Sequence, residues 1–562
     1  MRWNLTQNPP EEKINELTNS LSVDKAIAKL LVQRGIDSFE KARLFFRPTL
    51  EDLHNPYLMK DMDKAIERIE KAIQNNENIL IYGDYDVDGT TAVSLVYSYL
   101  TSFYPNVDTY IPDRYDEGYG VSFQGIDYAD DNGISLIIAL DCGIKAHEKI
   151  EYANSKNIDF IIADHHLPDD TIPNAIAVLD PKRNDCPYPY KELCGCGIGF
   201  KIIQALAEKR NQKAADLLPY LDLVATAIAA DIVPITGENR ILTKFGLEVI
   251  NSSPRNGIKA LIQNLKKEEL TITDVVFIIA PRINAAGRIH HGNYAVKLLT
   301  EFDLGQAEEF AQNIEVFNSE RKNLDTIITK EASLQIIETN QEKRFTTVVF
   351  NENWHKGVIG IVASRLIETY YKPTLVFTES NEKMVASARS VKGFDIHEAL
   401  EKCSEFIEQF GGHKYAAGLT VAKEKFELFR EKFEEVVKNS ITEESLSPEI
   451  NIDSEIDFSD INPKFVRILK QFEPCGPENM TPVFLTKNVM DTGYAKPLGK
   501  NDEHLKLFVK QNGTQPISAI GFNLGKKLEI VQGLKPFDMV YSIDENHWNG
   551  NVTLQLKVRD IK

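Results

Sequence analysis

Three carboxylates at alternate positions mark the most chemically suggestive stretch of this chain, Tyr82-Gly83-Asp84-Tyr85-Asp86-Val87-Asp88-Gly89-Thr90-Thr91. They follow directly on a short apolar run, Ile79-Leu80-Ile81. The same grammar recurs downstream. Leu140 closes a second apolar run before Asp141-Cys142-Gly143, and Ala163 closes a third before Asp164-His165-His166. Asp231 then stands as the single acid in Thr226-Ala227-Ile228-Ala229-Ala230-Asp231-Ile232-Val233-Pro234. One acid at a strand end is usually structural. Four such endings, with adjacent histidines among them, form a pattern.

Grouped carboxylates repel one another and call for cations to neutralise them. Mixed oxygen and imidazole donors suit Mn²⁺ somewhat better than Mg²⁺, which prefers oxygen and water. Two divalent ions about 4 Å apart can activate a water and stabilise both ends of an in-line displacement at phosphorus. Phosphoester hydrolysis is the reaction class these residue types favour. A calcium loop of the D-x-D-x-D-G kind requires a glutamate six residues after its glycine, and position 95 is leucine.

The elements that must position these acids are legible in outline. Ile79-Leu80-Ile81-Tyr82, Leu136-Ile137-Ile138-Ala139-Leu140 and Phe160-Ile161-Ile162-Ala163 read as strands buried on both faces, as in a parallel sheet covered by helices. Sites in such sheets form at the carboxyl ends of strands. Gly89 is expected to let the backbone turn, and the Thr90-Thr91 pair to cap the following helix. The chain divides into a helical segment (1–70), the acid-bearing α/β domain (71–300), a charged connecting helix nearly free of Gly and Pro (301–340), a second α/β domain (341–447) and a terminal β-domain (448–562). In the last, His504 to Gln511, Pro516 to Phe522 and Val552 to Val558 alternate like half-buried strands. Asn549-Gly550 is expected to be a hairpin turn, and an OB-like barrel is expected overall.

The bulk numbers set limits. At 562 residues the chain is too long for one core. No apolar run is long enough to cross a bilayer, and the start lacks the apolar core of a signal peptide, so a cytoplasmic address without membrane attachment is expected. Six cysteines make no disulfide framework. Cys186, Cys194 and Cys196 cluster loosely but lack a fourth close ligand for zinc. The net charge of −19 weakly disfavours nucleic acid. Yet residues 481–562 carry 11 Lys+Arg against 8 Asp+Glu, a local net of +3. Whole-chain charge does not exclude a local basic groove.

The ordered acids and histidines resemble the four motifs of the DHH phosphoesterase superfamily, named after the triplet at Asp164-His165-His166. Gly411-Gly412-His413-Lys414-Tyr415-Ala416-Ala417-Gly418 is similar to the Gly-Gly-His segment of the associated DHHA1 domain. Three further stretches resemble the superfamily's bacterial exonucleases specific for single strands: 282–288 (Arg-Ile-Asn-Ala-Ala-Gly-Arg), 354–365 (from Trp354-His355-Lys356-Gly357 to Arg365) and 474–479 (Pro-Cys-Gly-Pro-Glu-Asn). At Cys475 those exonucleases usually carry an aromatic, a departure that touches packing alone.

The resemblance implies an α/β fold: a DHH-type parallel-sheet domain and a smaller α/β DHHA1 domain joined by a long helix, then an OB-like β-barrel. It implies two Mn²⁺ or Mg²⁺ ions held by Asp86, Asp88, Asp141, His165 and Asp231, with Asp141 bridging. Asp84 joins the metal set, and His166 stands with Asp141 among the catalytic residues; both are ligands or groups that orient them and contact phosphate. Arg114, Arg282, Ser387, Arg389 and His413 would hold the phosphates of the strand, arginine suiting this by its planar fork. The implied activity is 5′→3′ degradation of single-stranded DNA to 5′-mononucleotides in repair and recombination, through a channel too narrow for duplex. The implied protein is a monomer partnered by a single-strand-binding protein and a helicase. His290-His291 lack nearby acids at ligand spacing and are expected to face solvent or DNA. The competing readings are a phosphoesterase of small nucleotides, which has no use for the residues after the Gly-Gly-His segment, and a non-catalytic scaffold, which would have lost the acids.

Overall fold

The computed structural model describes residues 1–380, 382–511, 513–548 and 551–562. The hairpin turn expected at Asn549-Gly550 lies outside the described residues. The chain forms two compact units. The larger contains residues Trp3–Pro281, Ala295–Glu308 and Ile450–Lys562; the smaller contains Met1–Arg2, Arg282–Tyr294 and Glu309–Glu449.

At the centre of the larger unit is a five-stranded sheet: β1 (Asn78–Gly83), β2 (Val107–Tyr110), β3 (Ile134–Leu140), β4 (Asp159–Ala163) and β5 (Ala177–Leu179). Every neighbouring pair runs parallel, and the spatial order is β2-β1-β3-β4-β5. The apolar runs of β1, β3 and β4 are fully buried, as continuous hydrophobic strands under helices on both faces must be. The order reverses between β1 and β3, and such a switch point opens a crevice at the carboxyl ends of those two strands. The acids after β1 and β3 lie there.

Three helices finish the crevice: α1 (Val87–Thr101), α2 (Gly195–Lys209) and α3 (Leu221–Asp231). The expected cap of α1 is corrected. Asp86 is the N-cap, its Oδ1 accepting the Gly89 N–H at 3.0 Å. Thr90 and Thr91 lie inside the first turns, and their hydroxyls donate back to the carbonyls of Asp86 and Val87, each at 2.6 Å. Gly89 serves close packing rather than turning, since a Cβ there would meet the Asp84 carbonyl oxygen at 2.4 Å.

The segment read as helical at the start opens with a short strand, Arg2–Leu5, before helices Glu11–Leu21, Lys25–Gln33 and Phe39–Phe46. Their apolar faces do not make a core of their own. Ile14, Leu17, Leu30, Leu31 and Phe45 share one cluster with Phe465, Phe484, Leu507, Tyr541 and Leu556 of the C-terminal domain. That domain is a seven-stranded sheet whose strands Phe484–Asp491 and His504–Lys510 also pair, through Met490 with Lys510 and Asp491 with Val509. Arg240 joins it to the acid-bearing domain. Its buried guanidinium donates to the carbonyls of Phe45, Gln471, Phe472, Glu473 and Pro474 at 2.9–3.1 Å.

The helix Leu304–Glu338 is 35 residues long and falls on the stretch expected to connect the α/β domains. In the smaller unit a five-stranded sheet runs in the order Ile407–His413, Ala416–Val421, Lys383–Arg389, Thr374–Ser380, Thr347–Phe350. Only the last pair is parallel. Among the described residues no helix is long and apolar enough to cross a membrane.

Candidate active site

The sheet delivers its acids by one device. Backbone pairing runs one residue past the strands: Asp141 N–H donates to the Ala163 carbonyl at 2.9 Å, and Asp164 N–H to the Leu179 carbonyl at 3.0 Å. Asp141 then turns with φ 59°, a left-handed conformation that aspartate tolerates better than most residues. Asp231 arrives from a helix instead. It is the last residue of α3, which Ile232 ends at φ 59°.

Around His165 these groups converge. Its Nε2 lies 3.1 Å from Asp141 Oδ1, 3.6 Å from Asp231 Oδ2 and 3.8 Å from Asp88 Oδ2. Two sets of donors within 4.8 Å of one another share this histidine: Asp141, His165 and His166, and Asp88, His165 and Asp231. Asp84 and Asp86 stand outside both sets, although Asp86 acts electrostatically on Asp88, Asp141 and Asp231. Asp84 is fully buried; its Oδ1 accepts the Gly120 N–H at 3.4 Å and its Oδ2 has no hydrogen-bond partner among the described residues.

Packing so many carboxylates together strains their ionisation. Burial, then the charge of Asp86, pushes Asp88 up to about 6. Burial, then Asp88, pushes Asp231 up to about 8. Burial with Asp88, Asp86 and Asp231 around it holds Asp141 well above the usual carboxylate range. Divalent cations remove this penalty, and the oxygen and imidazole donors match Mn²⁺ and Mg²⁺. The residues fit such ions.

Asp164 has a different task. Its Oδ1 meets His166 Nδ1 at 2.7 Å and accepts the His165 and His166 N–H groups at 2.7 and 3.2 Å, while Oδ2 accepts the Ile144 N–H at 2.9 Å. His166 Nε2 lies 3.1 Å from the Tyr119 hydroxyl. Tyr119 is edge-on to Tyr85, and Arg114 stacks on Tyr85 with its guanidinium carbon 4.1 Å from the ring centre. Arg114 Nε is buried and has no hydrogen-bond partner among the described residues.

The remaining predicted residues lie in the smaller unit. Cross-strand register puts His413 opposite Ala416 and Ala416 opposite Arg389, with Ser387 two residues back on the same face as Arg389. Arg389 donates to Ser387 Oγ at 3.1 Å, and the first turn of helix Ile359–Tyr370 abuts both: a Cβ on Gly360 would meet Ser387 Oγ at 2.9 Å and Arg389 Nη2 at 3.1 Å. Burial lowers the Arg389 pKa, and among the described residues no carboxylate pairs with it. His413 is exposed. Arg282 pairs with Glu315 at 2.7 Å. Of the histidine pair expected to face solvent or DNA, His290 is exposed, its ring centre 3.9 Å from that of Phe317, whereas His291 is half-buried and its Nδ1 accepts the Asn293 N–H at 3.2 Å.

Sequence reasoning missed Tyr85, Tyr119 and the orienting work of Asp164. The signal for Tyr119 was its place in Gly118-Tyr119-Gly120, both glycines having positive φ. It also missed what the cysteines near position 195 do. Cys194 caps α2, its Sγ accepting the Gly197 N–H at 3.3 Å.

A crevice at a parallel-sheet switch point, with a DHH turn among converging acids, defines a protein of the DHH class. Residues 78–228 match the DHH family N-terminal domain, 342–439 the DHHA1 domain and 452–560 the RecJ OB domain. The chain is 36% identical to the single-stranded-DNA-specific exonuclease RecJ of Bacillus subtilis, over 100% of this chain and 70% of that one. It is 32% identical to that of Escherichia coli, over 90% of each. Its fold superposes on the crystal structure of Thermus thermophilus RecJ in complex with Mn²⁺ with a TM-score of 0.85, at 25% identity over 100% of this chain and 79% of the other. The chain belongs to the RecJ family.

Proposed function

We propose that this chain is a metal-dependent exonuclease that degrades single-stranded DNA in the 5′→3′ direction and releases 5′-mononucleotides, acting in DNA repair and recombination. The observation that carries the reading is the convergence of Asp88, Asp141 and Asp231 on His165, a cluster whose ionisation is suppressed without cations. Asp88, Asp141, His165 and Asp231 would hold two Mn²⁺ or Mg²⁺ ions, with Asp84 and Asp86 the further acids of the set, outside the two donor clusters. When bound, the ions supply Lewis acidity and neutralise charge at the scissile phosphate.

The chain's own groups do the positioning. Asp164 fixes the ring of His166, so that Nε2 addresses the site beside Tyr119. Arg114, Arg282, Ser387, Arg389 and His413 bind phosphates of the strand. A guanidinium with no acid partner among the described residues, beside a helix first turn as at Arg389, is the environment that favours an anion. The locally positive C-terminal segment supports added strand binding. A monomer in the cytoplasm, working with a single-strand-binding protein and a helicase, completes the reading.

The test is digestion of single- and double-stranded oligonucleotides labelled at either end, with and without Mn²⁺. Mononucleotide release from the 5′ end of single strands, dependent on metal, is expected. Equal attack on duplex, or a preference for dinucleotides, would overturn the assignment.

A further inference from the structure

The sheet alone does not set the spacing of the acids. Asp88 is 2% exposed, and each of its carboxylate oxygens accepts a backbone N–H from the same turn, Gly195 at 2.6 Å and Cys196 at 2.7 Å. The Cys194 side chain caps the same turn, its Sγ accepting the Gly197 N–H at 3.3 Å. The same turn touches the second acid. A Cβ on Gly195 would lie 2.4 Å from Asp141 Cβ and 2.8 Å from its Oδ1. One glycine at the start of α2 is thus wedged between acids that come from two different elements.

The helix behind that glycine is firmly held. Lys201, two turns along α2, is fully buried with its Nζ 2.6 Å from Glu238 Oε1, and the Tyr188 hydroxyl donates to Glu238 Oε2 at 2.6 Å. The His54 N–H and carbonyl close the network from the N-terminal segment. A turn fixed from behind cannot retreat when something larger is placed at its tip.

Each carboxylate oxygen has two lone-pair directions. One amide per oxygen leaves the other direction for a cation and fixes its orientation, which is how groups behind a metal ligand tune the metal. We infer that Gly195 is a positioning residue of the metal centre: its amide, with that of Cys196, aims Asp88, and its missing side chain sets the gap between Asp88 and Asp141. This rests on the metal reading above.

The test is Mn²⁺ binding to metal-free protein, followed by calorimetry and by the spin coupling of a close Mn²⁺ pair. Gly195→Ala is compared with Gly197→Ala, whose added Cβ would have its nearest neighbour at 3.4 Å, an ordinary contact. The expected result is affinity lost by roughly 10-fold or more and coupling lost in Gly195→Ala, with parental binding in Gly197→Ala and similar metal-free melting of the two. Should Gly195→Ala fail to fold, Cys194→Ala decides, because it removes the cap of the turn that presents both amides to Asp88 without adding volume. Weakened binding there supports the inference, and parental binding overturns it. A parent that binds no Mn²⁺ sinks the metal reading and this inference together. A parent that binds two ions, matched by Gly195→Ala, sinks the inference alone.

Discussion

Asp164 and His166 are locked together: one carboxylate oxygen of Asp164 meets the imidazole Nδ1 and also accepts both backbone amides of the histidine pair. Although burial pushes Asp164 up, the His166 side chain holds it down to about 2. The first letter of the triplet therefore folds the turn and aims its third residue. Asp164→Asn is expected to lower kcat by roughly 10- to 100-fold with little change in KM. Steady-state kinetics on a single-stranded oligonucleotide would check this, and an unchanged kcat would refute it.

Metal removal should loosen the fold. Buried, mutually repelling carboxylates oppose folding, so chelation is expected to lower the melting temperature. Restoring Mn²⁺ at 100 times its Kd adds about 2.7 kcal/mol per site. Asp141→Asn should invert part of this, since it removes an acid whose ionisation the cluster penalises and asparagine tolerates the left-handed backbone. The variant should melt higher than the parent without metal, gain less from Mn²⁺ and lose nearly all nuclease activity. Calorimetric scans with and without chelator decide, and a variant that gains as much from Mn²⁺ as the parent would contradict the role of Asp141.

Arg389→Ala should weaken strand binding more than turnover. A charge-assisted phosphate contact contributes about 2 kcal/mol, which is roughly 30-fold in KM. Arg389→Lys should recover only part of it, because an ammonium lacks the planar fork. Kinetics at saturating and limiting oligonucleotide separate the two effects; an unchanged KM in the alanine variant counts against phosphate binding.

Arg240→Met should leave five carbonyl oxygens without their common donor. The expected loss is about 3 kcal/mol or more of unfolding free energy, read from urea denaturation of metal-loaded protein. A loss below about 1 kcal/mol would show that water satisfies those carbonyls.

What was legible in the sequence follows from how locally each feature is written. Strands buried on both faces must be apolar throughout, so β1, β3 and β4 announced themselves, and the acids at their ends marked the crevice. β2, with the sequence Val-Asp-Thr-Tyr, and the three-residue β5 carry no such signal. The start of α1 was misread because Asp86 and the threonines are all plausible caps, and only the fold shows which one sits at the boundary. Contacts between distant segments were out of reach. The amides that hold Asp88 come from 107 and 108 positions away and belong to residues whose side chains take no part in the bond. The ladder row that aligns Arg389 with His413 appears only once three strands are in register.

The shared core of the N-terminal helices and the terminal barrel bears on synthesis. Phe45 and Ile456 belong to one apolar cluster, yet 411 residues separate them. The helices of residues 11–46 must therefore wait, greasy side outward, until the segment around residues 456–561 has emerged. Pairings this distant fold slowly and leave sticky surface open to misassembly. A chaperone that shields early helices should matter more to this chain than to one whose domains close in the order they are translated.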